Sequence, residues 1–165
     1  MLICVRTFQE LDFDALMQVY QEGNRENGED LYPEETPERQ MELALRDFGN
    51  YLRHDFFSNK DARYWIWSED GVYLSALRLE PYEDGLLLEA LETHPEYRCR
   101  GYAKKLICAV MKQLPAGTRV YSNISKRNTP SLVTHRACGF YKLLDYSVDT
   151  DGEQYDHQVT MTVTV

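Results

Sequence analysis

The sequence lacks several features that would place it in other classes of protein. No apolar run reaches the roughly 18 to 20 residues of a membrane-spanning helix, and the N-terminal segment MLICVRTFQELDF carries charge too early for a secretory signal. The four cysteines contain no Cys-x-x-Cys pair, and no His or Cys stands at zinc-ligand spacing. We therefore expect a cytoplasmic protein with reduced thiols, no membrane segment and no bound metal.

Repeats, low-complexity tracts and linkers are also missing, so residues 1–165 are expected to form a single domain. A chain of 165 residues with 43% hydrophobic residues can bury a core without disulfides, which argues against disorder. One cysteine, Cys138, stands before a Gly-Phe pair, but no neighbouring residue indicates an activated thiolate.

Charge is distributed unevenly along the chain, whose net charge is −9. Residues 10–55 hold 13 acidic and 4 basic residues, whereas residues 98–142 hold 10 basic residues and no acidic one. Such a basic segment inside an acidic protein indicates a polyanion bound in one place, either nucleic acid or a phosphorylated cofactor. Nucleic acid is not favoured, because the pI is about 4.9 and the aromatic residues of this segment form no base-stacking ladder.

Hydrophobic periodicity predicts an α/β domain with a mixed sheet in the order β-α-α-β-β-β-α-β-α-β-β. The predicted strands cover residues 2–8, 63–70, 72–80, 86–94, 118–124, 139–148 and 157–165. The predicted helices cover residues 12–24, 36–57, 101–114 and 128–138, and residues 28–35 are predicted to form a loop.

A phosphate-binding arrangement follows the strand at 86–94. The first N–H groups of a helix lack partners and carry part of the helix dipole, so a helix that begins at Gly101 offers an anion site. Glycine lets the backbone approach an anion closely, Ala103 keeps the next turn uncrowded, and Arg98, Arg100 and Lys104 add positive charge. Neither a P-loop motif nor G-x-G-x-x-G is present, which excludes those nucleotide sites.

The motif Arg98-Cys99-Arg100-Gly101-Tyr102-Ala103 resembles the Arg/Gln-x-x-Gly-x-Gly/Ala signature of the GNAT superfamily of acetyl-CoA-dependent N-acetyltransferases. The segments HPEYRCRGYAKKLI and NTPSLVTHRACGF also resemble that family, and the order of elements does so over essentially the whole chain. The resemblance implies a GNAT-like, mostly antiparallel sheet with helices on both faces. It also implies acetyl-CoA as cosubstrate.

The resemblance further implies roles for individual residues. The backbone of Leu91, Glu92 and Thr93 would pair with the pantetheine arm, where the strands splay. Asn128 would contact the cofactor. Backbone amides of the helix start would hold the diphosphate, namely those of Cys99, Arg100, Gly101, Tyr102, Ala103 and Lys104.

Direct acetyl transfer to a primary amine requires a base, and Glu89 is the first candidate. It is expected on the same strand face as Leu87 and Leu91, where a carboxylate needs an explanation. An ion pair with Arg78 or a place at the strand edge would provide one without catalysis. Glu92, expected on the opposite face, and a water molecule are the alternatives.

The leaving thiolate requires a hydrogen-bond donor, and His135 occupies the place of the tyrosine found in many family members. A histidine packed on a short helix is the non-catalytic alternative, and Tyr102 and Tyr141 are other hydroxyl donors. The ribosomal-protein branch of the family uses a glutamate where this chain has Asn123, which argues against that branch.

The acceptor is expected to be an amine on a small molecule or peptide. Acidic residues crowd the segment that binds the acceptor in this family, so a cationic acceptor is favoured. The alternative function is a non-catalytic acyl-CoA-binding module or sensor on the same fold. We expect a monomer or a homodimer.

Overall fold

The computed structural model describes all 165 residues of the chain, which form nine strands and five α-helices. The strands are β1 (Leu2–Val5), β2 (Arg63–Glu69), β3 (Val72–Tyr82), β4 (Gly85–Thr93), β5 (Arg119–Ser125), β6 (Tyr141–Leu144), β7 (Ser147–Val148), β8 (Gln154–Tyr155) and β9 (Gln158–Thr164). The helices are α1 (Phe13–Val19), α2 (Gln21–Leu31), α3 (Pro37–His54), α4 (Tyr102–Met111) and α5 (Thr129–Ala137).

Seven of the strands form one sheet in the order β1-β2-β3-β4-β5-β9-β6, while β7 and β8 form a separate hairpin. Every neighbouring pair in the large sheet is antiparallel except β4 and β5, which run parallel. The predicted class, a mixed and mostly antiparallel sheet in an α/β fold, is therefore confirmed.

Helices cover both faces of this sheet, because strand residues alternate between two cores. On β3, Ala76 packs toward α1 and α3, and Leu77 packs toward α4. Helix α4 contributes Leu106, Ile107 and Val110, which share one face at helical spacing. None of the five helices combines the length and apolar composition needed to cross a bilayer.

The first helical segment differs from its prediction. We expected the helix to end at Gly23 and Asn24 and a loop to span residues 28–35, but α2 continues to Leu31. Asn24 is buried and its Nδ2 donates to the sulfur of Met17 at 3.4 Å. Gly28 does not stop the helix but lets it approach α3, since a Cβ there would lie 2.8 Å from the carbonyl oxygen of Gln40.

The predicted strand over residues 139–148 is interrupted, so that β7 turns away from the sheet to pair with β8. Polar side chains hold this hairpin against the neighbouring strands. The Oγ of Ser147 donates to Gln158 at 2.8 Å, and the Nδ2 of Asn123 donates to the carbonyl of Val148 at 2.8 Å. The sequence shows the β-forming residues here but not the break.

Candidate active site

The N-terminus of α4 presents free backbone donors. Gly101 precedes the helix with φ +79°, and Cys99 also has a positive φ of 59°. The first helical N–H with a backbone partner is that of Lys105, which donates to Gly101 at 2.9 Å. The N–H groups of the three preceding residues therefore remain available to an anion. By contrast, side chains cap α1, α3 and α5, namely Asp12, Thr36 and Asn128.

A groove of about 530 Å³ opens at this helix end, between β4 and α5. It brings together ten of the eleven predicted cofactor-binding residues: Leu91, Glu92, Thr93, Arg98, Cys99, Gly101, Tyr102, Ala103, Lys104 and Asn128. Arg100 does not line it, because its guanidinium lies 5.2 Å from the ring centre of Tyr97. Pro130, Ser131 and Thr134 also line it and were not predicted. Their spacing of three and four residues on one helix was the available signal.

Several charged side chains at this groove are already paired. Arg98 forms ion pairs with Glu22 of α2 and, at 3.8 Å, with Glu92, so it links the acidic helix to the groove. The ammonium of Lys105 instead lies 2.8 Å from the carboxylate of Glu69, the last residue of β2. Lys104 makes no ion pair within the chain. Its ammonium therefore remains available to an anion bound at the helix end.

Tyr102 also points its hydroxyl away from the groove. The hydroxyl donates to Glu69 at 3.0 Å, next to the ammonium of Lys105. Hydrogen bonds from Lys105, Trp67 and Tyr102 lower the pKa of Glu69 to about 2. The hydroxyl of Tyr102 is therefore committed to Glu69, and at the helix end Tyr102 offers only its backbone N–H.

Strands β4 and β5 separate soon after they meet. Only Leu86 and Leu87 of β4 pair with β5, and the strands then diverge toward the groove. A β-bulge lies on β4 at Ala90, which has φ +48° and whose carbonyl accepts a hydrogen bond from Tyr20 at 2.5 Å. The expected splay is therefore present, with a strained residue at its centre.

The bulge changes which side chains share a face of β4. Glu89 lies opposite Arg78 and Glu92 lies opposite Ala76, so both carboxylates face α1–α3. Leu91 packs into the other core, with α4. The predicted parity, with Glu89 beside Leu91 and Glu92 on the opposite face, is wrong, because one extra residue shifts the alternation.

Two further cavities continue from the groove through the splay. One, of about 210 Å³, is lined by Glu89, Ala90, Asn123, Asn128 and His135, among others. The next, of about 330 Å³, shares Glu89, Ala90 and Asn123 with it and adds Asp149 of the hairpin. Glu89 therefore lies between the cavity that adjoins the groove and the cavity that Asp149 also lines.

Glu89 is held by neighbours on β3. Its carboxylate lies 3.5 Å from the guanidinium of Arg78, so the ion pair considered from the sequence is present. Arg78 is stacked on Tyr51, with 4.9 Å between guanidinium and ring centre, and its Nε and Nη1 have no hydrogen-bond partner. Burial and a hydrogen bond with Glu89 raise the pKa of Glu80 to about 7.

His135 is buried, with 1% of its surface exposed. Its Nδ1 lies 2.8 Å from the carbonyl oxygen of Ser131, which can only accept, so Nδ1 carries the proton. Nε2 then carries the lone pair and has no partner. Burial lowers the pKa of His135, which favours the neutral imidazole.

The remaining polar candidates have clear local roles. The Oδ1 of Asn128 caps α5 by accepting from the N–H of Ser131 at 3.1 Å, and its Nδ2 makes no hydrogen bond. The amide of Asn123 bonds to Val148 and Thr160 and so supports the hairpin. Tyr141 is exposed on β6, outside all three cavities. No group of three His, Cys, Asp or Glu side chains is placed to hold a metal ion.

Solved structures with the same fold include several acetyltransferases. A PaiA N-acetyltransferase from Thermoplasma acidophilum in complex with coenzyme A is 17% identical, with a TM-score of 0.63 over 100% of this chain and 99% of that one. The ribosomal-protein-S18-alanine N-acetyltransferase from Escherichia coli is 14% identical, with a TM-score of 0.59 over 100% and 94%. A spermidine N-acetyltransferase chimera that includes the Vibrio cholerae enzyme is 15% identical, with a TM-score of 0.63 over 99% and 95%.

Because these sequence identities are low, the solved structures show a shared fold only. No curated protein matches the sequence. The family comparison is more specific. The acetyltransferase (GNAT) family matches residues 17–140, a range that contains the α4 helix start, the bulged strand and His135. The chain therefore belongs to the acetyltransferase (GNAT) family and is an acetyl-CoA-dependent N-acetyltransferase.

Proposed function

We propose that the protein transfers the acetyl group of acetyl-CoA directly to a primary amine of a cationic small molecule or peptide. The observation that carries this proposal is a row of three adjoining cavities that share lining residues. They lead from the α4 helix start to Glu89 and to the β7–β8 hairpin. A thioester and an amine that enter from opposite ends would meet at the splay.

The diphosphate of acetyl-CoA would bind the free N–H groups at the start of α4, with added charge from Lys104. The pantetheine arm would lie along β4 at Leu91, Glu92 and Thr93, and the free Nδ2 of Asn128 would donate to it. This placement is supported by the groove, which these residues line together.

Glu89 is proposed as the base that takes a proton from the substrate ammonium. It lines the cavities on both sides of the splay, and the neighbouring Arg78 holds its carboxylate in place. Glu92 faces the same side of the sheet, but it is paired with Arg98 and lines the cofactor groove rather than the third cavity. Glu89 is therefore the stronger candidate.

His135 stays a prediction as the proton donor to the thiolate. Its Nε2 can donate only in the imidazolium form, which burial disfavours, so any such role should grow as the pH falls. Replacement by Phe should then reduce turnover more at low pH than at high pH. An equal reduction at all pH values would indicate that His135 only packs beside Phe140, whose ring centre lies 5.0 Å away.

A cationic acceptor is supported by the charges on its side of the molecule. Asp149 and Glu89 line the third cavity, and α2 carries Glu22, Glu26 and Glu29. Opposite charge raises the local concentration of a cation, and salt screens this attraction. Turnover of a polycationic amine should therefore fall more steeply with ionic strength than turnover of a monoamine.

The test is a thiol-release assay with acetyl-CoA across polyamines, aminoglycosides, amino acids and lysine-rich peptides. Glu89→Gln should lower kcat by about 100-fold or more, because general-base catalysis contributes that much, and leave the affinity for acetyl-CoA unchanged. Glu83→Gln, in the exposed β3–β4 turn, is the matched control. Binding of acetyl-CoA without turnover of any amine would favour the non-catalytic module instead.

A further inference from the structure

We propose that Glu80 on β3 is a positioning residue that shares a proton with Glu89, so that the two carboxylates together accept the proton released by the amine. This inference rests on the proposed function and adds a second residue to its base. Glu80 was not a candidate from the sequence, because nothing in its local pattern shows what lies beside it on the next strand.

The sheet register places the two carboxylates together. Glu80 lies opposite Leu87, and Arg78 lies opposite Glu89. Directly opposite residues point to the same face, and the bulge lies beyond Glu89, so all four side chains face α3. Glu80 and Glu89 are thus diagonal neighbours on one face. They lie close enough for the carboxyl group of Glu89 to raise the pKa of Glu80.

One guanidinium partly balances the two carboxylates. Arg78 lies on the same strand as Glu80, pairs with Glu89 at 3.5 Å and is itself fixed by stacking on Tyr51 and Phe56. With both carboxylates ionised the cluster has a net charge of −1, and with one proton added it is neutral. The neutral form suits the partial burial of Glu80 near Tyr51 of α3.

The other titratable groups around the pair leave this balance in place. They are Tyr51 from α3, and Asp149 and Tyr155 from the β7–β8 hairpin, whose side chains line the cavity that Glu89 also lines. Asp149 adds negative charge on the substrate side, and burial raises the pKa of Tyr51, which therefore stays neutral. Glu80 itself forms no ion pair with a lysine, arginine or histidine.

The shared proton has a direct consequence for the reaction. A lone glutamate ordinarily has a pKa of about 4.3 and is a weak base toward an ammonium. A base whose pKa lies near the working pH is more effective. Burial and then Glu89 raise the pKa of Glu80 to about 7. Glu80 can therefore hold a proton beside Glu89 near neutral pH, where a lone glutamate would be ionised.

The proton balance of the step is simple. The ammonium R–NH3⁺ gives one proton to the carboxylate pair and becomes R–NH2, whose nitrogen attacks the thioester carbon. The C–S bond breaks as the C–N bond forms. The nitrogen loses its second proton and the sulfur gains one, directly or through His135, and leaves as the thiol. The proton on the pair then passes to solvent, which restores both carboxylates.

The decisive experiment compares the pH dependence of kcat/KM in the wild type, Glu80→Gln, Glu80→Asp and the control Glu83→Gln, with one acceptor. The wild type should lose activity as the pH falls through about 7. In Glu80→Gln this acid limb should move down by about two pH units, because a single carboxylate remains. Glu80→Asp keeps the second carboxylate and should keep the limb near neutral pH, as should the control.

If Glu80 has only a structural role, Glu80→Gln should lower stability or kcat but leave the acid limb of the kcat/KM profile at the same pH. An unmoved acid limb in folded Glu80→Gln would therefore overturn the proposal. Carboxyl-carbon NMR titration provides a readout without turnover. In the wild type, the signal of Glu80 should change near pH 7, and Glu89→Gln should move this change to lower pH. If no amine is acetylated but the Glu80 signal depends on Glu89 in this way, the proposed function fails and the proton sharing stands.

Discussion

Replacement of Gly101 by glutamate tests the anion site at the start of α4 most directly. Gly101 has φ +79°, and a Cβ built there meets no atom within 4 Å, so a side chain would project into open space at the mouth of the groove. Gly71, in the β2–β3 turn, has φ +80° and equally open surroundings. Gly71→Glu is therefore a matched control with the same backbone strain and the same added charge.

The two variants should have similar stability and very different affinity for acetyl-CoA. A left-handed conformation costs a non-glycine residue about 1–2 kcal/mol, which lowers Tm by about 2–8 °C in a protein of this size. This strain is present with and without ligand, so it does not weaken binding. The carboxylate at residue 101 adds repulsion of about 2–4 kcal/mol toward a diphosphate in a half-exposed groove, which corresponds to a Kd roughly 30- to 700-fold higher.

Isothermal titration with acetyl-CoA and thermal unfolding separate these effects. Gly101→Glu should bind far more weakly than Gly71→Glu at equal loss of Tm, and the difference should shrink as salt is added. Gly101→Ala should bind nearly as well as the wild type, because it adds strain without charge. If Gly101→Glu and Gly71→Glu bind acetyl-CoA equally, the diphosphate does not sit at this helix end.

Three further predictions concern the elements that surround the site. Gly28→Ala should lower the free energy of unfolding by about 1–3 kcal/mol, because the added methyl group overpacks against α3. Gly23→Ala has open space around it and should leave the free energy of unfolding unchanged or raise it by up to about 1 kcal/mol. Urea unfolding of the two variants distinguishes these outcomes. Tyr20→Phe should cost about 1–3 kcal/mol and lower kcat, because the bulge carbonyl loses its donor; a silent variant would contradict a role for this bond. Glu69→Gln should destabilise the protein at pH 6 but not at pH 2. Hydrogen bonds from Lys105 and its neighbours depress the folded pKa of Glu69 to about 2, so the stabilisation is present above the ordinary carboxyl pKa and disappears as the pH falls toward 2.

Local patterns were enough to predict most of the fold and the cofactor groove. The α4 helix start combines a glycine, free N–H groups and basic neighbours within seven consecutive residues, so its chemistry can be inferred without tertiary contacts. The side chains of Thr36 and Asn128 likewise act locally, since each accepts a hydrogen bond from the first turn of the helix that follows it. The predicted helix end at Gly23 and the predicted loop from Gly28 were wrong. A glycine can end a helix or allow it to pack closely against another helix, and only the neighbouring helix decides between the two.

The sequence by itself determined the fold class, the family motif and the proposal of an anion site at the start of α4, because each depends on residues that are close in the chain. Tertiary structure alone decided the faces of β4, since the bulge at Ala90 reverses the alternation that places Glu92. It also decided the neighbours of Glu89, since register brings Arg78 and Glu80 beside it from another strand. The protonation of a buried carboxylate depends on charges within a few ångströms, and those distances arise only when the strands pair.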